Sequence, residues 1–595
     1  MDYPFGGNIV LPFAEYIFRY EVAGITVYFR HPHKRSWIVD VQSVLGRDCL
    51  LHAIIITRSM YLFRIINLMV GSSPRQSLRG FHRPEKDLTM KHAIARYLKE
   101  HNGWITDEMA YMLSALSLMD EVSPLSAQAV IKELESQRSS LKLIASENYS
   151  SLSVQAAMGT LFTDKYSEGY PFHRFYAGCE NVDEIEAEAC ETACRLFGAE
   201  HAYVQPHSGA DANLCAYWAI LNHKVQAPAL EEMGIKNAAD LSREDWNRIR
   251  ELTHNQKLLA LDYSCGGHLT HGYRQNISAQ MFDAYSYGVD PDTGLLDYDE
   301  IERLAKDIRP LILLAGYSAY PGQIDFHRMA DIAHSVGAVF MVDMAHFAGL
   351  VAGKVHTFTG DYEPVKWADV VTTTTHKTLR GPRGGMILCK KEFAESVDKG
   401  CPLVIGGPLP HVMNAKLIAL KEAETAEFQD YAKRVQANAW SLAGYLSACG
   451  AKIVTGGTDN HLLLMDVTQY GLNGRMAESL LREAGITLNR NALPFDKNGP
   501  WYTSGLRLGT AAVTTLGMDI DDMADIAMII VDVLSSAHPV TLTKGEYAGE
   551  KSKVKAVAPK KTMELARKGV GELLKKYPVY PEIDLEWLKE EFIGL

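Results

Sequence analysis

The fold of this 595-residue chain is decided by the stretch Val370-Val371-Thr372-Thr373-Thr374-Thr375-His376-Lys377-Thr378-Leu379-Arg380-Gly381. A β-branched strand runs there into a polar turn, which brings one lysine, Lys377, to the end of the strand. Open α/β sheets bind their ligands outside the carboxyl ends of their strands. A lysine in that place can form a Schiff base with a carbonyl cofactor, although a surface lysine after a strand would leave the same pattern.

Short apolar strands alternate with helices on both sides of this stretch. The sequence predicts strands over 311–315, 338–342 and 386–389, and a helix over 326–336. This βαβ rhythm is typical of an α/β protein whose mostly parallel sheet is covered by helices. A long helical stretch over 417–449 follows, and the shorter elements after Gly450 predict a small α+β domain.

We predict four segments along the chain. They are an N-terminal extension over 1–90, a helical arm over 91–150, a large cofactor-binding domain over 151–415 and a small C-terminal domain over 416–595. The extension is irregular, and we hypothesise that Met90 is the natural start. Residues 222–257 are polar, charged and helical in pattern, and they predict a surface insertion. The lysine-rich residues 544–576 predict a solvated helix face rather than an RNA-binding patch.

Composition narrows the classes of function. The net charge of -12 disfavours a nucleic-acid partner. The apolar residues 49–70 are interrupted by Arg58 and Arg64, so we do not expect them to span a membrane. The nine cysteines form no CxxC pair and no metal-ligand spacing, which predicts no metal site and a reducing, cytoplasmic compartment.

Asp343 ends the predicted strand that precedes the Lys377 strand. A carboxylate at that point would keep a pyridinium nitrogen protonated, because an opposite charge favours the charged form, and the protonated ring is an electron sink. A helix N-cap would also place an aspartate there. The two residues together favour pyridoxal phosphate as the cofactor.

Three further windows fit such a cofactor and its substrate. His207-Ser208-Gly209-Ala210 lies between a strand and a helix, where backbone N–H groups can cradle a phosphate. In the window 266–272, His268 follows paired glycines and could stack on a flat ring, or be a structural loop histidine. Arg507 alternates with apolar residues on a strand, so it needs a carboxylate, either that of an amino-acid substrate or an internal one.

Taken together, these windows resemble the serine hydroxymethyltransferases, fold-type-I pyridoxal-phosphate enzymes, in a divergent bacterial branch. The resemblance runs from about residue 141 to about residue 517. The matching segments are Leu143-Ile144-Ala145-Ser146-Glu147-Asn148, Asp164-Lys165-Tyr166-Ser167-Glu168-Gly169-Tyr170-Pro171, Phe175-Tyr176-Ala177-Gly178-Cys179-Glu180, Tyr317-Ser318-Ala319-Tyr320, Val342-Asp343-Met344-Ala345-His346 and Gly406-Gly407-Pro408-Leu409.

The resemblance implies roles for matching residues. The catalytic set would be Lys377, Glu168, Asp343, His268, His346, His376 and Thr375. The cofactor would be held by Lys377, Ser208, Gly209, His268, Ser318, Asp343, His346 and His376, with Tyr166 and Gly407 from a partner chain. The substrates, L-serine and tetrahydrofolate, would be bound by Arg507, Glu168, Tyr176, Tyr263, Gly267, Leu269 and Asn491.

The resemblance also implies a reaction and an assembly. A homodimer, or a dimer of dimers, would convert serine and tetrahydrofolate into glycine and 5,10-methylenetetrahydrofolate, with Glu168 protonated when it assists a leaving group. Ala210 and Asp211 depart from the family's usual residues beside the phosphate. Two alternatives stay open: an amino-acid lyase that needs no folate, and a non-enzymatic RNA-binding relative.

Overall fold

The computed structural model describes residues 93–544 and 547–594 in full, and before them only the backbone of three strands. The chain divides into two compact units, Met1–Lys91 and His92–Leu595. In the first unit, strands β1 (Ile17–Val22), β2 (Ile25–His33) and β3 (Ser36–Ser43) form an antiparallel sheet. The predictions about residues 49–70 and about Met90 lie outside the described residues.

The second unit carries the remaining strands. In chain order they are β4 (Leu141–Lys142), β5 (Gly169–Tyr170), β6 (His173–Arg174), β7 (His201–Tyr203), β8 (Lys257–Leu261), β9 (Asp283–Tyr287), β10 (Ile312–Gly316), β11 (Val339–Asp343), β12 (Val370–Thr374), β13 (Gly385–Cys389), β14 (Lys452–Ile453), β15 (Leu462–Asp466), β16 (Ile486–Thr487), β17 (Asn489–Asn491), β18 (Gly505–Gly509), β19 (His538–Thr541) and β20 (Lys551–Val557).

The helices of this unit run through its whole length. They are α1 (Ala93–Glu100), α2 (Asp107–Val122), α3 (Pro124–Ser139), α4 (Leu152–Met158), α5 (Glu180–Phe197), α6 (Gly209–Leu221), α7 (Ala227–Glu232), α8 (Arg243–His254), α9 (Ser278–Met281), α10 (Tyr298–Ile308), α11 (Phe326–Ser335), α12 (Ala348–Ala352), α13 (Pro364–Trp367), α14 (Lys391–Asp398), α15 (Gly400–Leu403), α16 (Pro410–Ala423), α17 (Ala426–Ala448), α18 (Gly474–Glu483), α19 (Ala511–Thr515), α20 (Ile520–Ser536), α21 (Lys560–Lys576) and α22 (Leu585–Phe592).

The central feature of the unit is a seven-stranded sheet with the order β7-β13-β12-β11-β10-β8-β9. All of its strands are parallel except β13, which is antiparallel to both β12 and β7. The strands β10 to β13 are buried throughout because helices cover both faces. The predicted α/β fold class is therefore confirmed.

A smaller sheet, with the order β14-β15-β18-β17, lies in the C-terminal part of the unit and is antiparallel. Its core includes helix α20, whose Asp519 forms a capping box with Asp522. The two-residue strand β4 pairs with β16, so residues of the predicted helical arm join this C-terminal part. The predicted limits of the four segments stay predictions.

Of three local expectations, two differ from the structure and one is confirmed. The predicted single helical stretch over 417–449 is two helices, because Thr425 caps α17 by accepting the N–H of Phe428. The helical pattern of residues 222–257 is confirmed, because they contain a π-helical turn, Asn222–Gln226, and two helices, α7 and α8. The lysine-rich segment contains the strand β20 before its helix α21. No helix among the described residues has the length and apolar character that a membrane span requires.

Candidate active site

Lys377 lies three residues beyond the end of β12, in the turn that leads to β13. The turn is fixed by side chains on both sides: Thr375 Oγ1 donates to Pro382 O at 2.6 Å, and Asn148 Nδ2 donates to Lys377 O at 2.9 Å. Burial lowers the pKa of Lys377 to about 8, with Asp343 opposing the shift. The amine is therefore much easier to deprotonate than an ordinary lysine.

Asp343 is the last residue of β11 and pairs with Thr372 in the adjacent strand, so the acid and the lysine belong to neighbouring strand ends. Its Oδ2 accepts from Asn213 Nδ2 at 2.8 Å and from His271 Nε2 at 3.0 Å, and its Oδ1 accepts the N–H of Ala345 at 3.0 Å. A carboxylate has about four acceptor sites. One site on Oδ1 is left for a further donor.

Hydrogen bonds hold this carboxylate ionised. Burial alone would raise the pKa of Asp343, but the hydrogen bonds from His271 and Asn213 outweigh burial and hold the pKa well below its usual range. Because His271 Nδ1 accepts the N–H of His268 at 3.3 Å, its Nε2 carries the proton that points at Asp343. A lasting negative charge at this point can keep a pyridinium nitrogen protonated.

His268 lies beside Asp343 with its ring orientation fixed. Its Nδ1 accepts from Thr270, through the N–H at 3.2 Å and the hydroxyl at 2.7 Å, because that hydroxyl in turn accepts from Asn213 at 2.7 Å. Burial lowers the pKa of His268 to about 4. The imidazole is therefore neutral, and it lines the cavity, which suits stacking on an aromatic ring.

The predicted phosphate cradle lies at the first turn of α6. Ser208 is the N-cap of this helix, and its hydroxyl accepts the N–H of Asp211 at 3.2 Å and donates to the Asp211 carboxylate at 2.9 Å. A Cβ on Gly209 would lie 2.6 Å from Thr374 Cγ2, so this turn has no room for a side chain. His376 Nδ1 is buried without a hydrogen-bond partner. Free N–H groups and an unpartnered imidazole nitrogen fit an anion.

Arg507 on β18 is held by two uncharged groups. Its Nε donates to Asn489 Oδ1 at 3.1 Å, and its Nη1 donates to Ser318 O at 2.5 Å. Within the described part of the chain it forms no salt bridge, so the internal carboxylate that the sequence left open is not there. Burial lowers the pKa of Arg507 to about 10, which still leaves it charged at neutral pH.

One cavity of about 580 Å³ brings most of the predicted residues together. The predicted residues that line it are Lys377, Asp343, His268, His346, His376, Ser208, Gly209, Ser318, Tyr263, Gly267, Leu269, Asn491 and Arg507. Thr375 is not part of the lining and acts on the turn behind it. Tyr263 and Leu269 are partly exposed at 45% and 41%, as side chains at a cavity mouth are.

The four residues predicted to reach in from a partner chain do not line this cavity. They lie together: Tyr176 donates to Glu168 at 3.1 Å, Tyr166 and Tyr176 have ring centroids 5.0 Å apart, and a Cβ on Gly407 would lie 2.9 Å from Tyr166. Gly407 O lies 3.2 Å from His207 Nε2, one residue before Ser208. Tyr166 is 55% exposed. The set is therefore preassembled, and none of its four members lines the cavity that holds Lys377.

Sequence reasoning missed several residues that support the site. Asn213, Thr270 and His271 hold Asp343 and His268, and the buried His461 lies with its Nε2 3.3 Å from His346 Nδ1. His271 was in the glycine–histidine window, and Asn213 lies one helical turn after Gly209. Neither position has a local signal that separates it from a core polar residue, because its partner comes from a distant strand.

His268, His271 and Asp343 each place one potential ligand atom within 4.8 Å of the others, a spacing that a metal ion could use. The hydrogen bonds described above account for the same cluster without a metal. The prediction that the protein has no metal site stays a prediction.

The fold and the cavity define a fold-type-I pyridoxal-phosphate enzyme. A model of one family, serine hydroxymethyltransferase, matches residues 119–235 and 249–530. Proteins named serine hydroxymethyltransferase are similar over most of the chain. One from Treponema pallidum (strain Nichols) is 58% identical over 480 residues, 81% of this chain and 83% of that protein. One from Cutibacterium acnes is 54% identical, over 80% of this chain and 95% of that protein.

A third, from Chlamydia trachomatis serovar L2, is 49% identical, over 84% of this chain and 100% of that protein. The chain belongs to the serine hydroxymethyltransferase family. The resemblance in the sequence is thus confirmed, together with the family's reaction between serine and tetrahydrofolate and its cofactor, pyridoxal phosphate.

Proposed function

We propose that this chain interconverts L-serine and tetrahydrofolate with glycine, 5,10-methylenetetrahydrofolate and water through the residues of the cavity described above. The observation that carries the proposal is the placement of Lys377 and Asp343 at adjacent strand ends in one cavity, together with an Arg507 that has no carboxylate partner within the described residues. Bound there, pyridoxal phosphate supplies the electron sink for bond cleavage at the substrate's α-carbon.

Each residue has a physical task in this proposal. The Lys377 amine, with its lowered pKa, attaches the cofactor and later accepts or returns a proton. Asp343 faces the ring nitrogen with its remaining acceptor site. Ser208, Gly209 and His376 hold the phosphate, and Arg507 grips the substrate carboxylate. His268 covers the ring face as a neutral imidazole, while Ser318 and His346 lie along the same wall of the cavity.

Glu168 is the acid–base carboxyl of the proposal, and it acts in the partner subunit's cavity. The support is that Glu168 does not line its own chain's cavity, and that Tyr176 donates to it at 3.1 Å, which would orient it within the exposed aromatic cluster. We therefore propose a homodimer, or a dimer of dimers, in which Tyr166, Glu168, Tyr176 and Gly407 complete the opposite site. Tyr263, Gly267, Leu269 and Asn491 border the folate.

Mixing two inactive variants tests the shared site. Lys377→Ala and Glu168→Gln proteins are each expected to be inactive with serine and tetrahydrofolate. When they are unfolded together and refolded, about half of the dimers are hybrids, and each hybrid has one intact site, so about a quarter of the wild-type rate should return. No recovery, with hybrids verified by mass, would show that Glu168 acts within its own chain.

The chemical assignment has its own experiment. Borohydride reduction of the protein with pyridoxal phosphate should attach the cofactor to Lys377, identified by peptide mapping. Glu168→Gln should keep cofactor binding while it lowers folate-dependent serine cleavage by about 10²–10⁴-fold, and Glu184→Gln, on an exposed helix position, should change neither. Serine cleavage at full rate without folate would favour the lyase alternative.

We also propose a cytoplasmic location. The eight cysteines of the described residues are all free, five of them buried, which suits a reducing compartment. Cell fractionation with an antibody against the native protein tests this, and recovery in a membrane or secreted fraction would contradict it.

A further inference from the structure

Lys416 on α16 is a buried lysine that the reaction does not use. Its side chain is 1% exposed. Its Nζ donates three hydrogen bonds, all to backbone carbonyls: to Val204 at 2.6 Å, to Pro206 at 2.9 Å and to Gly385 at 2.8 Å. Within the described part of the chain it forms no salt bridge. Lysines are almost never fully buried unless they are paired.

The three carbonyls show which form of the lysine fits the site. An ammonium group has three N–H donors, so each carbonyl receives one. A neutral amine has two N–H bonds and a lone pair, and the lone pair would face the third carbonyl oxygen. The geometry is that of the charged form. Glu186 and Asp211 favour this charge, but neither forms an ion pair with it. A buried charge that is not paired is expensive, so we expect the charge to have a function.

The carbonyls belong to the segments that build the phosphate cradle. Val204 and Pro206 come directly before His207 and Ser208, and Pro206 O also accepts the N–H of Gly385 at 2.9 Å. A Cβ on Gly385 would lie 2.1 Å from Ser208 O. Lys416 therefore ties the end of β7, the start of β13 and helix α16 together immediately behind the first turn of α6.

The charge of Lys416 also reaches the other side of the cradle. A Cβ on Gly384 would lie 2.5 Å from Lys416 Cε and 3.2 Å from Thr375 Oγ1, so the lysine stem packs against the turn that carries His376. Burial lowers the pKa of His376 to about 3, and the charge of Lys416 contributes to that shift. A Cβ on Gly384 would also lie 3.1 Å from Lys416 Nζ, so the ammonium lies directly behind the turn that carries His376.

We propose that Lys416 is a positioning residue for the cofactor's phosphate: its ammonium fixes the three backbone segments of the cradle and supplies, from behind, a positive charge that the phosphate dianion balances. This inference rests on the proposed cradle at Ser208, Gly209 and His376. Burial lowers the pKa of Lys416 to about 7, and a bound dianion favours its charged form. The lysine needs no contact with the cofactor to act in this way.

The test compares two ligands that differ only in the phosphate. Full-length protein freed of cofactor is titrated with pyridoxal phosphate and with pyridoxal, and both dissociation constants are measured from the absorbance of the bound ligand. Lys416→Met keeps the length of the side chain without its charge. It should raise the dissociation constant of pyridoxal phosphate by about tenfold or more, and that of pyridoxal by less than about threefold. Lys421→Met, an exposed lysine on the same helix, is the control and should change neither.

Each other outcome overturns a different statement. An equal loss of affinity for both ligands would make Lys416 a merely structural residue. If the variant prefers pyridoxal phosphate over pyridoxal as strongly as the wild type does, Lys416 has no role in phosphate binding. Wild-type protein without that preference would refute the cradle itself. If Lys416→Met does not fold, Lys416→Arg and Lys416→Gln give the same comparison, because only the arginine keeps the charge. The proposal fails if the glutamine variant keeps the preference.

Discussion

Replacing Arg507 by lysine tests the reading of the cavity most directly, because it keeps the charge and changes only the geometry of the donors. The guanidinium has five N–H bonds. One on Nε is taken by Asn489 and one on Nη1 by Ser318 O, so three remain, two of them on Nη2. A substrate carboxylate can accept two of these in a bidentate pair. A lysine ammonium approaches as a point charge and offers no fork.

The size of the effect follows from this count of bonds. Arg507→Lys should lose one charge-assisted hydrogen bond, worth about 1.5–3 kcal/mol. That loss corresponds to about 10–150-fold in the dissociation constant of an amino acid. Arg507→Ala should lose both bonds, so the dissociation constant should rise by about the square of that factor. Because burial lowers the pKa of Arg507 only to about 10, the wild-type interaction should persist across neutral pH.

Glycine and methylamine separate a carboxylate effect from a general one. Both amines can react with the bound cofactor, and only glycine has the carboxylate, so binding to the holoenzyme is measured from the cofactor's absorbance. Arg507→Lys should raise the dissociation constant of glycine by about 10–150-fold and change that of methylamine by less than about threefold. Arg490→Lys is the matched control, since Arg490 lines the same cavity but pairs with Glu478 at 3.2 Å. Equal losses for both amines would refute the reasoning.

Three further predictions concern the lysine and its surroundings. The rate at which cofactor-free protein captures pyridoxal phosphate should rise with pH around a midpoint near 8, because the neutral amine of Lys377 reacts and its pKa is about 8; a midpoint above 10 would contradict this. In Asp343→Asn, an amide N–H should face the N–H donors of Asn213, His271 or Ala345 that now bind the carboxylate. This loss of an acceptor should lower the free energy of unfolding, measured by urea denaturation, by about 1–3 kcal/mol. Asn148→Ala should leave the Lys377 carbonyl without its side-chain donor and weaken cofactor binding in a titration, whereas exposed Glu184→Gln should not.

The strand before Lys377 could be predicted to the residue, and the helices around it could not. Val370–Thr374 is a continuous β-branched run, which only a strand buried on both faces favours. The break between α16 and α17 could have been predicted from Thr425, a residue type that caps helices and here accepts the N–H of Phe428. Apolar residues continue at helical spacing across the break, however, so the pattern favours one long helix. Short apolar runs such as β8 fit a strand or a helix equally well from sequence.

Some residues of the site could be predicted from the sequence and others could not. Lys377 and Asp343 could be predicted because each stands at the end of a recognisable strand. The sequence could not predict whether Arg507 pairs with a carboxylate of its own chain, since that depends on which side chains meet in three dimensions. Lys416 did have a signal: it falls between Val412 and Leu420, at helical spacing on the buried face of α16, where a charge is unexpected.

The cavity and its surroundings have an imbalance of charge that explains what they bind. Lys377, Arg507 and Lys416 form no salt bridges within the described part of the chain, and Asp343 already accepts three hydrogen bonds from uncharged donors. Burying cations in this way destabilises the empty protein, because desolvation disfavours each charge. The missing anions are the two that the reaction brings, a phosphate from the cofactor and a carboxylate from the amino acid. Selectivity for those ligands thus comes from charges that the fold leaves without partners, and each ligand stabilises the protein by supplying one.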